Sequence, residues 1–498
     1  MCTMTKVADM GMQRRGSADI ARRLAGICGA RFARPAGAAD DVAGAVARWV
    51  AVPGTPAAAT EVVRLAAEYD LSVVARGAGT KLDWGATPSQ VDIVLDTGRL
   101  AGVWHRPADG LVAEIGAGTP VRAAEAILAR AGLRLPLDAP SIGATIGGVV
   151  AAGESGPLRH LHGTACDQLV GVSFVDASGV LAHAGTAAAP PGGGSGAGGR
   201  PVDGEITQLL CGSQGALGVL VSTTLRVQPI PASRVWVSRS VWTPLEVHDL
   251  VRGILATDLR PTAIEVDLPA ARPEVAGAEP GVSGGGGGGP GGRGWFGGTG
   301  GPPGGPSRSG DPEQGRPGTQ GGPGRHGRRG DGGSGTLTVL LEGGPAEVAE
   351  RVTRLTGLLG GDAEGATAPP QWWRRYPFRP DDVALRMEAP IGDLHAAVYA
   401  LRDAAGAPIP VRGSAGLGVV HAALPATTPP GRVAAILDGV RAVLRARAGR
   451  CVVVAAPQAV REAVDLWGEL PDLPLLRQVK ERFDPAGRLA PGRYPGGI

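Results

Sequence analysis

Asparagine is missing altogether from the 498 residues, and lysine occurs at only three positions, Lys6, Lys81 and Lys480. With plentiful Ala, Gly, Arg and Pro, this reads as a base-composition bias. Nearly all positive charge is therefore arginine, interspersed with acids, and the formal net charge is only +3. With no basic stripe, a nucleic-acid partner is not expected. Cysteine is scarce too: Cys2, Cys28, Cys166, Cys211 and Cys451 stand far apart, with no Cys-x-x-Cys pair. That spacing speaks against a structural zinc site and a cysteine-bound iron–sulfur cluster, and no metal site is expected. No run approaches the roughly 18 apolar residues of a membrane span. The N-terminus carries Arg14, Arg15, Arg22 and Arg23 without the apolar stretch of a signal peptide. The expectation is a cytoplasmic protein in reducing surroundings, with no transmembrane segment.

Apolar residues make up 43% of the chain, enough for a sizeable core, and the length fits about two to three domains. Glycine (83) and proline (43) are abundant but unevenly spread. Between Gly281 and Gly335, 27 of 55 residues are glycine, so the segment cannot bury enough apolar surface to offset its ordering entropy and reads as a disordered insertion. A shorter glycine-rich loop falls within 186–200. The expected organisation is an N-terminal extension (1–44), a first domain (45–231), and a second domain (232–280 and 336–498) interrupted by the insertion 281–335.

In the first domain, Thr60 can cap a helix with Val62, Val63, Leu65, Ala66 and Tyr69 at helical spacing, and Ser72 to Ala75 follows as a buried strand. Thr119-Pro120 opens a second helix over 121–131, which Gly132 closes. The runs 170–176 and 180–184 flank Ala177-Ser178-Gly179 as a hairpin. Further on, 346–359 and 432–447 read as helices, and 336–342, 383–388, 419–424 and 451–455 as strands. Helices mixed with both parallel-type and hairpin strands favour α+β.

Four glycine-rich segments carry most of the chemical information. Arg76-Gly77-Ala78-Gly79-Thr80-Lys81 follows a strand, and its glycines let successive backbone N–H groups point into one concavity that can hold a pyrophosphate. By itself the same run would serve a tight turn. A Rossmann fingerprint would need glycine where Leu82 stands, and Gly-Lys, required by a Walker A loop, occurs nowhere. The other three segments are Asp138 to Gly156, containing Ala144-Thr145-Ile146-Gly147-Gly148; Gly163 to Gly171, containing Asp167 and Val170; and Gly212-Ser213-Gln214-Gly215-Ala216-Leu217-Gly218.

In this order and spacing, the four segments resemble the flavoproteins of the vanillyl-alcohol oxidase and p-cresol methylhydroxylase type (PCMH-type). The C-terminal Leu475 to Arg493 stretch, the ending Gly496-Gly497-Ile498, and Thr80-Lys81-Leu82-Asp83-Trp84-Gly85 are similar to the branch that supplies FAD-binding subunits of bacterial glycolate oxidases. The resemblance implies a PCMH-type FAD-binding domain of two α+β subdomains followed by a smaller α+β cap domain. It implies that Arg76, Gly77, Ala78, Gly79, Thr80 and Lys81 hold the FAD diphosphate. Pro140, Ser141, Ala144, Thr145, Gly147, Gly148, Ala152, Ser155 and Gly156 would pass beside the diphosphate and ring, with Val219 along the cofactor. Covalent forms of the family resemble loops with a histidine where Thr80 stands, so the FAD is expected to be noncovalent.

The sequence also departs from the family. Gly153 and Cys166 stand where the family often has Asn and Arg, Ser222 replaces a usual Glu, and a Lys-Asn-x-x-Gly-Tyr-Asp run before Gly212 is replaced by glycine-rich sequence. The implied activity is oxidation of a small 2-hydroxy acid such as glycolate, with an electron-relay or assembly subunit as the alternative. The implied partners are a second flavoprotein subunit and an iron–sulfur subunit, and little turnover by the lone chain is expected. No catalytic residue is assigned. His160-Leu161-His162 places two imidazoles on one face if extended, without a third ligand at a telling spacing. His421 reads as a core or interface histidine, Trp372-Trp373-Arg374-Arg375-Tyr376 as a substrate mouth or a packed rim, and Cys166 as a small core residue or a flavin attachment point.

Overall fold

The computed structural model describes residues 17–106, 110–185, 200–202, 205–270 and 334–498. The insertion, but for its last two residues, and nearly all of the 186–200 loop lie outside the described residues. The fold is α+β and contains three main sheets. The first has four strands in the order Ala33–Pro35, Trp49–Ala51, Ile93–Asp96, Val73–Arg76, all parallel neighbours but the first pair. Helix Pro56–Glu68 lies between the second and last of these strands in sequence. It starts at Thr55, whose hydroxyl accepts the Ala58 N–H (3.1 Å), with proline in the first turn. The expected cap, Thr60, lies inside the helix and donates its hydroxyl to the Pro56 carbonyl (3.1 Å). The Thr-Pro pair one turn earlier is the effective start signal.

The second sheet has six strands in the order Arg200–Val202, Leu181–Gly185, Leu169–Val175, Val219–Arg226, Val112–Gly116, Val103–His105. Its hairpin pairs Val175 with Leu181 around the Ala177-Ser178-Gly179 turn. Helix Ile146–Ala152 packs on this sheet through Gly147, where an added Cβ would stand 2.6 Å from the Ala117 Cβ.

The third sheet has eight antiparallel strands in the order Glu364–Ala366, Ser233–Val241, Gly335–Gly343, Ala263–Leu268, Val411–Ser414, Val419–Leu424, Val383–Glu388, Arg450–Ala455. Side chains alternate across it. Ile264, Val266, Val339, Val420 and Leu385 join one core with helices Pro244–Leu255, Pro345–Leu359, Leu394–Ala405 and Pro430–Arg445. The intervening positions Glu265, Asp267, Arg412, His421 and Arg386 make the opposite face polar. The register places Asp267, Arg412, His421 and Arg386 in one row across four strands.

The C-terminal helix Leu473–Phe483 and the turn after it return to the first sheet. Val73 N–H donates to the Arg488 carbonyl and Ala490 N–H to the Val73 carbonyl, each at 2.8 Å. Buried Lys480 donates to Asp484 Oδ2 (2.6 Å) and to the carbonyls of Leu489 (2.7 Å) and Ala216 (2.9 Å), which ties this helix to the fourth glycine segment.

Candidate active site

Strand Val73–Arg76 ends at the turn 77–81. Gly79 has φ +76°, and the backbone N–H groups of Gly77, Ala78, Gly79 and Thr80 donate to no acceptor among the described residues. Four unused donors in one turn suit an anion. A Cβ at Gly77 would stand 2.1 Å from Thr145 Oγ1, so glycine is required where the first and second glycine segments meet. Thr145 caps helix Ile146–Ala152 by accepting the Gly148 N–H. Arg76, Gly77, Ala78, Gly79, Thr80, Lys81, Thr145, Gly148 and Ala152 line a single cleft, joined by Trp84, Gln214 and Arg493.

The two cations of the turn are already engaged. Arg76 donates Nε and Nη2 to Asp96 Oδ2 (3.0 and 2.9 Å) and Nη1 to Asp40 Oδ1 (2.8 Å), leaving the backbone donors to meet a diphosphate. Lys81 Nζ lies 2.7 Å from Glu154 Oε1, bonds to Ser141 Oγ, and sits 4.3 Å from the Trp84 ring centre. Ala144, Gly147 and Val219 are buried and do not line the cleft. Arg493, which the sequence did not single out for this site, donates to the carbonyls of Lys81 (3.2 Å), Leu82 (3.0 Å) and Trp84 (2.9 Å) and so fixes the turn. Burial lowers its guanidinium to about 10. Only the fold reveals this role, because 409 residues separate it from Trp84.

Pro140, Ser155 and Gly156 line a second, smaller cavity roofed by the polar face of the large sheet at Glu265, Arg412 and His421, with Arg159, Arg375 and Tyr376 at its sides. Between the two spaces, Glu154 Oε1 accepts from Ser141 N (3.0 Å), Ser141 Oγ (2.8 Å) and Tyr376 Oη (2.8 Å) as well as meeting Lys81. Glu154 was not singled out from sequence, although it stands within the second glycine segment, whereas Tyr376 ends the run 372–376 read as a substrate mouth or a packed rim, four of whose residues line this cavity. The Tyr376 ring packs edge-on against His421 at 4.8 Å. Burial, then the charges of Arg386, Arg159 and Lys81, hold His421 well below the usual imidazole range, so it is neutral. Burial first, then Glu154, hold Tyr376 protonated. Arg412 gives Nε to Asp267 (2.8 Å) and Nη1 to the carbonyls of Arg375 and Tyr376. Arg159 and Arg375 make no ion pair among the described residues.

Two sequence expectations change here. Residues Arg159–His162 are helical, not extended, so His160 and His162 do not share a face. Among the described residues no group of three or more His, Cys, Asp or Glu side chains could hold a metal. Cys166 is neither a free core thiol nor available to a flavin: it is bonded to Cys211, with Cα atoms 5.6 Å apart. Spacing along the chain could not show a bridge between residues 45 apart, and cysteine usage no longer argues for a reducing compartment.

A two-part α+β domain with an open anion-binding turn at its seam, under the polar face of a third sheet, is the architecture of PCMH-type flavoproteins. The FAD binding domain family matches residues 47–185, so this stretch is an FAD-binding domain and the cofactor is FAD. The unpaired N–H groups of 77–80 and the side-chain-free surface at Gly77 fit its diphosphate. The chain is 28% identical to a D-lactate dehydrogenase of Archaeoglobus fulgidus over 180 residues, 36% of this chain and 38% of that one. It is 29% identical to a D-2-hydroxyglutarate dehydrogenase of Xanthomonas citri over 192 residues (37% and 38%). It is 32% identical to glycolate oxidase subunit GlcE of Escherichia coli over 127 residues (25% and 33%). The matches thus span little more than a third of these relatives. The structure superposes on p-cresol methylhydroxylase with a TM-score of 0.66 at 13% identity, covering 96% of each chain, which establishes the fold. No helix among the described residues is long and apolar enough to cross a membrane.

Proposed function

We propose that the chain is an FAD-dependent oxidoreductase component that oxidises a 2-hydroxy acid. The observation that carries this is the smaller cavity beside the FAD cleft, where neutral His421 converges with the guanidinium groups of Arg159 and Arg375, which make no ion pair among the described residues, Arg159 donating only to the Val419 carbonyl (3.4 Å). An alcohol oxidation needs an acceptor for the hydroxyl proton, and a hydroxy acid needs a cation for its carboxylate. His421 fills the first role, and Arg159 with Arg375 the second. When bound, FAD supplies the electron-accepting ring. Tyr376, kept protonated, and Glu154 set the boundary between cleft and cavity, while Arg412 holds the backbone of 375–376 in place. The test is anaerobic mixing of the FAD-loaded protein with a panel of 2-hydroxy acids while the flavin's visible absorbance is followed. Bleaching by at least one acid, slowed about 10²- to 10⁴-fold in His421→Ala, is expected. No bleaching by any of them with FAD still bound would sink the reading.

The FAD is held noncovalently in this reading, supported by Thr80 at the turn and by the engagement of Cys166 with Cys211. Acid precipitation should leave all yellow colour in the supernatant. The likeness to a protein named as a glycolate oxidase subunit supports work within a complex. A second flavoprotein and an iron–sulfur protein are the proposed partners, and native pull-down with mass spectrometry identifies or refutes them. The second reading, a subunit that binds FAD while a partner performs the chemistry, is favoured by the same likeness. It would be chosen if flavin were retained but never reduced by hydroxy acids without that partner.

A further inference from the structure

Beside the smaller cavity lies a much roomier space. A cavity of about 420 Å³ adjoins the head cavity of about 30 Å³, and Arg374 lines both. A single water needs about 10–15 Å³ on this scale, so the head cavity suits a compact polar head group and the neighbour something much larger. The large cavity is walled by Leu135, Leu158, Leu340, Trp236 and Trp373. Four of these, with Ala263, form an apolar cluster separate from the core of the large sheet. The two indoles meet edge to face at 6.3 Å.

Three further observations point to a ligand here. Trp236 is 8% exposed, yet its indole N–H has no hydrogen-bond partner among the described residues, and a buried orphan donor is unusual unless something else supplies the acceptor. Arg374, at the junction of the two cavities, has φ +58°, the left-handed region that non-glycine residues adopt rarely. Some of the wall charges pair with one another: Arg134 meets both oxygens of Glu342 (2.7 and 2.6 Å), and Arg234 Nε lies 2.8 Å from Glu342 Oε1, while Glu125 and Arg374, which also line the space, make no ion pair among the described residues. Asp138, fully buried, is pushed up to about 7 by desolvation. The space therefore offers a largely apolar wall together with the Trp236 indole N–H.

We propose that this cavity receives the tail of the substrate, and that the chain acts on 2-hydroxy acids bearing a bulky apolar or aromatic side chain in preference to glycolate. The inference rests on the hydroxy-acid reading above. The carboxylate and carbinol occupy the head cavity between Arg159, Arg375 and His421, and the tail passes Arg374 to lie against Trp236 and Trp373.

The test uses the full FAD-loaded chain and two measurements. In anaerobic flavin reduction by glycolate, lactate, 2-hydroxyhexanoate, 2-hydroxyoctanoate and 3-phenyllactate, half-saturation should improve about fourfold per buried methylene, and 2-hydroxyoctanoate should exceed lactate by at least about 30-fold. Ala129→Trp, at the exposed helix end lining the cavity, should shrink that ratio to below about fivefold. Separately, octanoate, which has no hydroxyl to oxidise, should quench tryptophan fluorescence, with the change lost in Trp236→Phe. Bleaching that does not depend on chain length would overturn the tail site and leave the hydroxy-acid reading standing. Octanoate quenching without bleaching by any hydroxy acid would do the reverse, and failure of both would overturn both.

Discussion

Glu265 is the residue whose surroundings differ most from its sequence context. It looks like an ordinary acid in a strand, but it is 6% exposed and desolvation pushes it up to about 8. An unfolded glutamate releases its proton near 4.5, so between about pH 4.5 and 8 the folded state holds a proton that the unfolded state has lost. Stability therefore falls as pH rises through that window. Glu265→Gln keeps the neutral form at every pH, so its melting temperature relative to the parent should climb steadily from pH 5 to pH 8. Parallel curves would show that the group ionises normally. The glycine turn teaches the converse lesson. Its place after a strand and its φ-positive glycine were legible in sequence, whereas its meeting with Thr145 appears only in the fold. What Arg76 and Lys81 do was not legible, because Asp40, Asp96 and Glu154 are 36, 20 and 73 positions away and only folding brings them close. Arg493→Ala should weaken FAD retention about tenfold, roughly one lost charge-assisted hydrogen bond, in an equilibrium titration of the apoprotein.

Among the elements, those with strong periodicity were read nearly to the residue: strands Val383–Glu388 and Val419–Leu424 match the sequence expectation, and helix Pro430–Arg445 is shifted by two positions. Short elements were missed for a physical reason. The turn Arg159–His162 is four residues long and carries no apolar repeat, so tertiary contacts, not periodicity, make it helical. The Cys166–Cys211 bridge joins two such short helices, Ala165–Gln168 and Ile206–Leu210, just ahead of the Gly212 segment that packs on helix Ile146–Ala152. Of the five cysteines, three should react with a thiol reagent in denaturant without reductant, and five after reduction. Removing the bridge by Cys166→Ser with Cys211→Ser should cost about 2–4 kcal/mol of stability, given a loop of 45 residues. Equal stability with and without reductant would count against the bond.

At the scale of the whole molecule, the large sheet settles what the long glycine-rich stretch interrupts. Strands Ala263–Leu268 and Gly335–Gly343 are antiparallel neighbours, with Asp267 opposite Thr336. The chain therefore leaves the sheet and re-enters it at adjacent positions, as if across a hairpin. Replacing residues 271–333 with a four-residue glycine turn should leave FAD binding unchanged and the melting temperature within about 5 °C, because closure entropy varies only with the logarithm of loop length. A larger fall would show that the segment contributes packing of its own.

That adjacency reaches beyond deletion. The two sides of the break share one sheet, and the piece that follows it carries Tyr376, His421 and Arg493 to a cleft built by the piece that precedes it. Two separately expressed polypeptides, 1–270 and 334–498, would each lack half of the active site. Mixed, they would complement one another, with yellow colour and FAD binding returning only on reassembly, so the protein can be used as a split reporter whose halves are rejoined by the sheet itself.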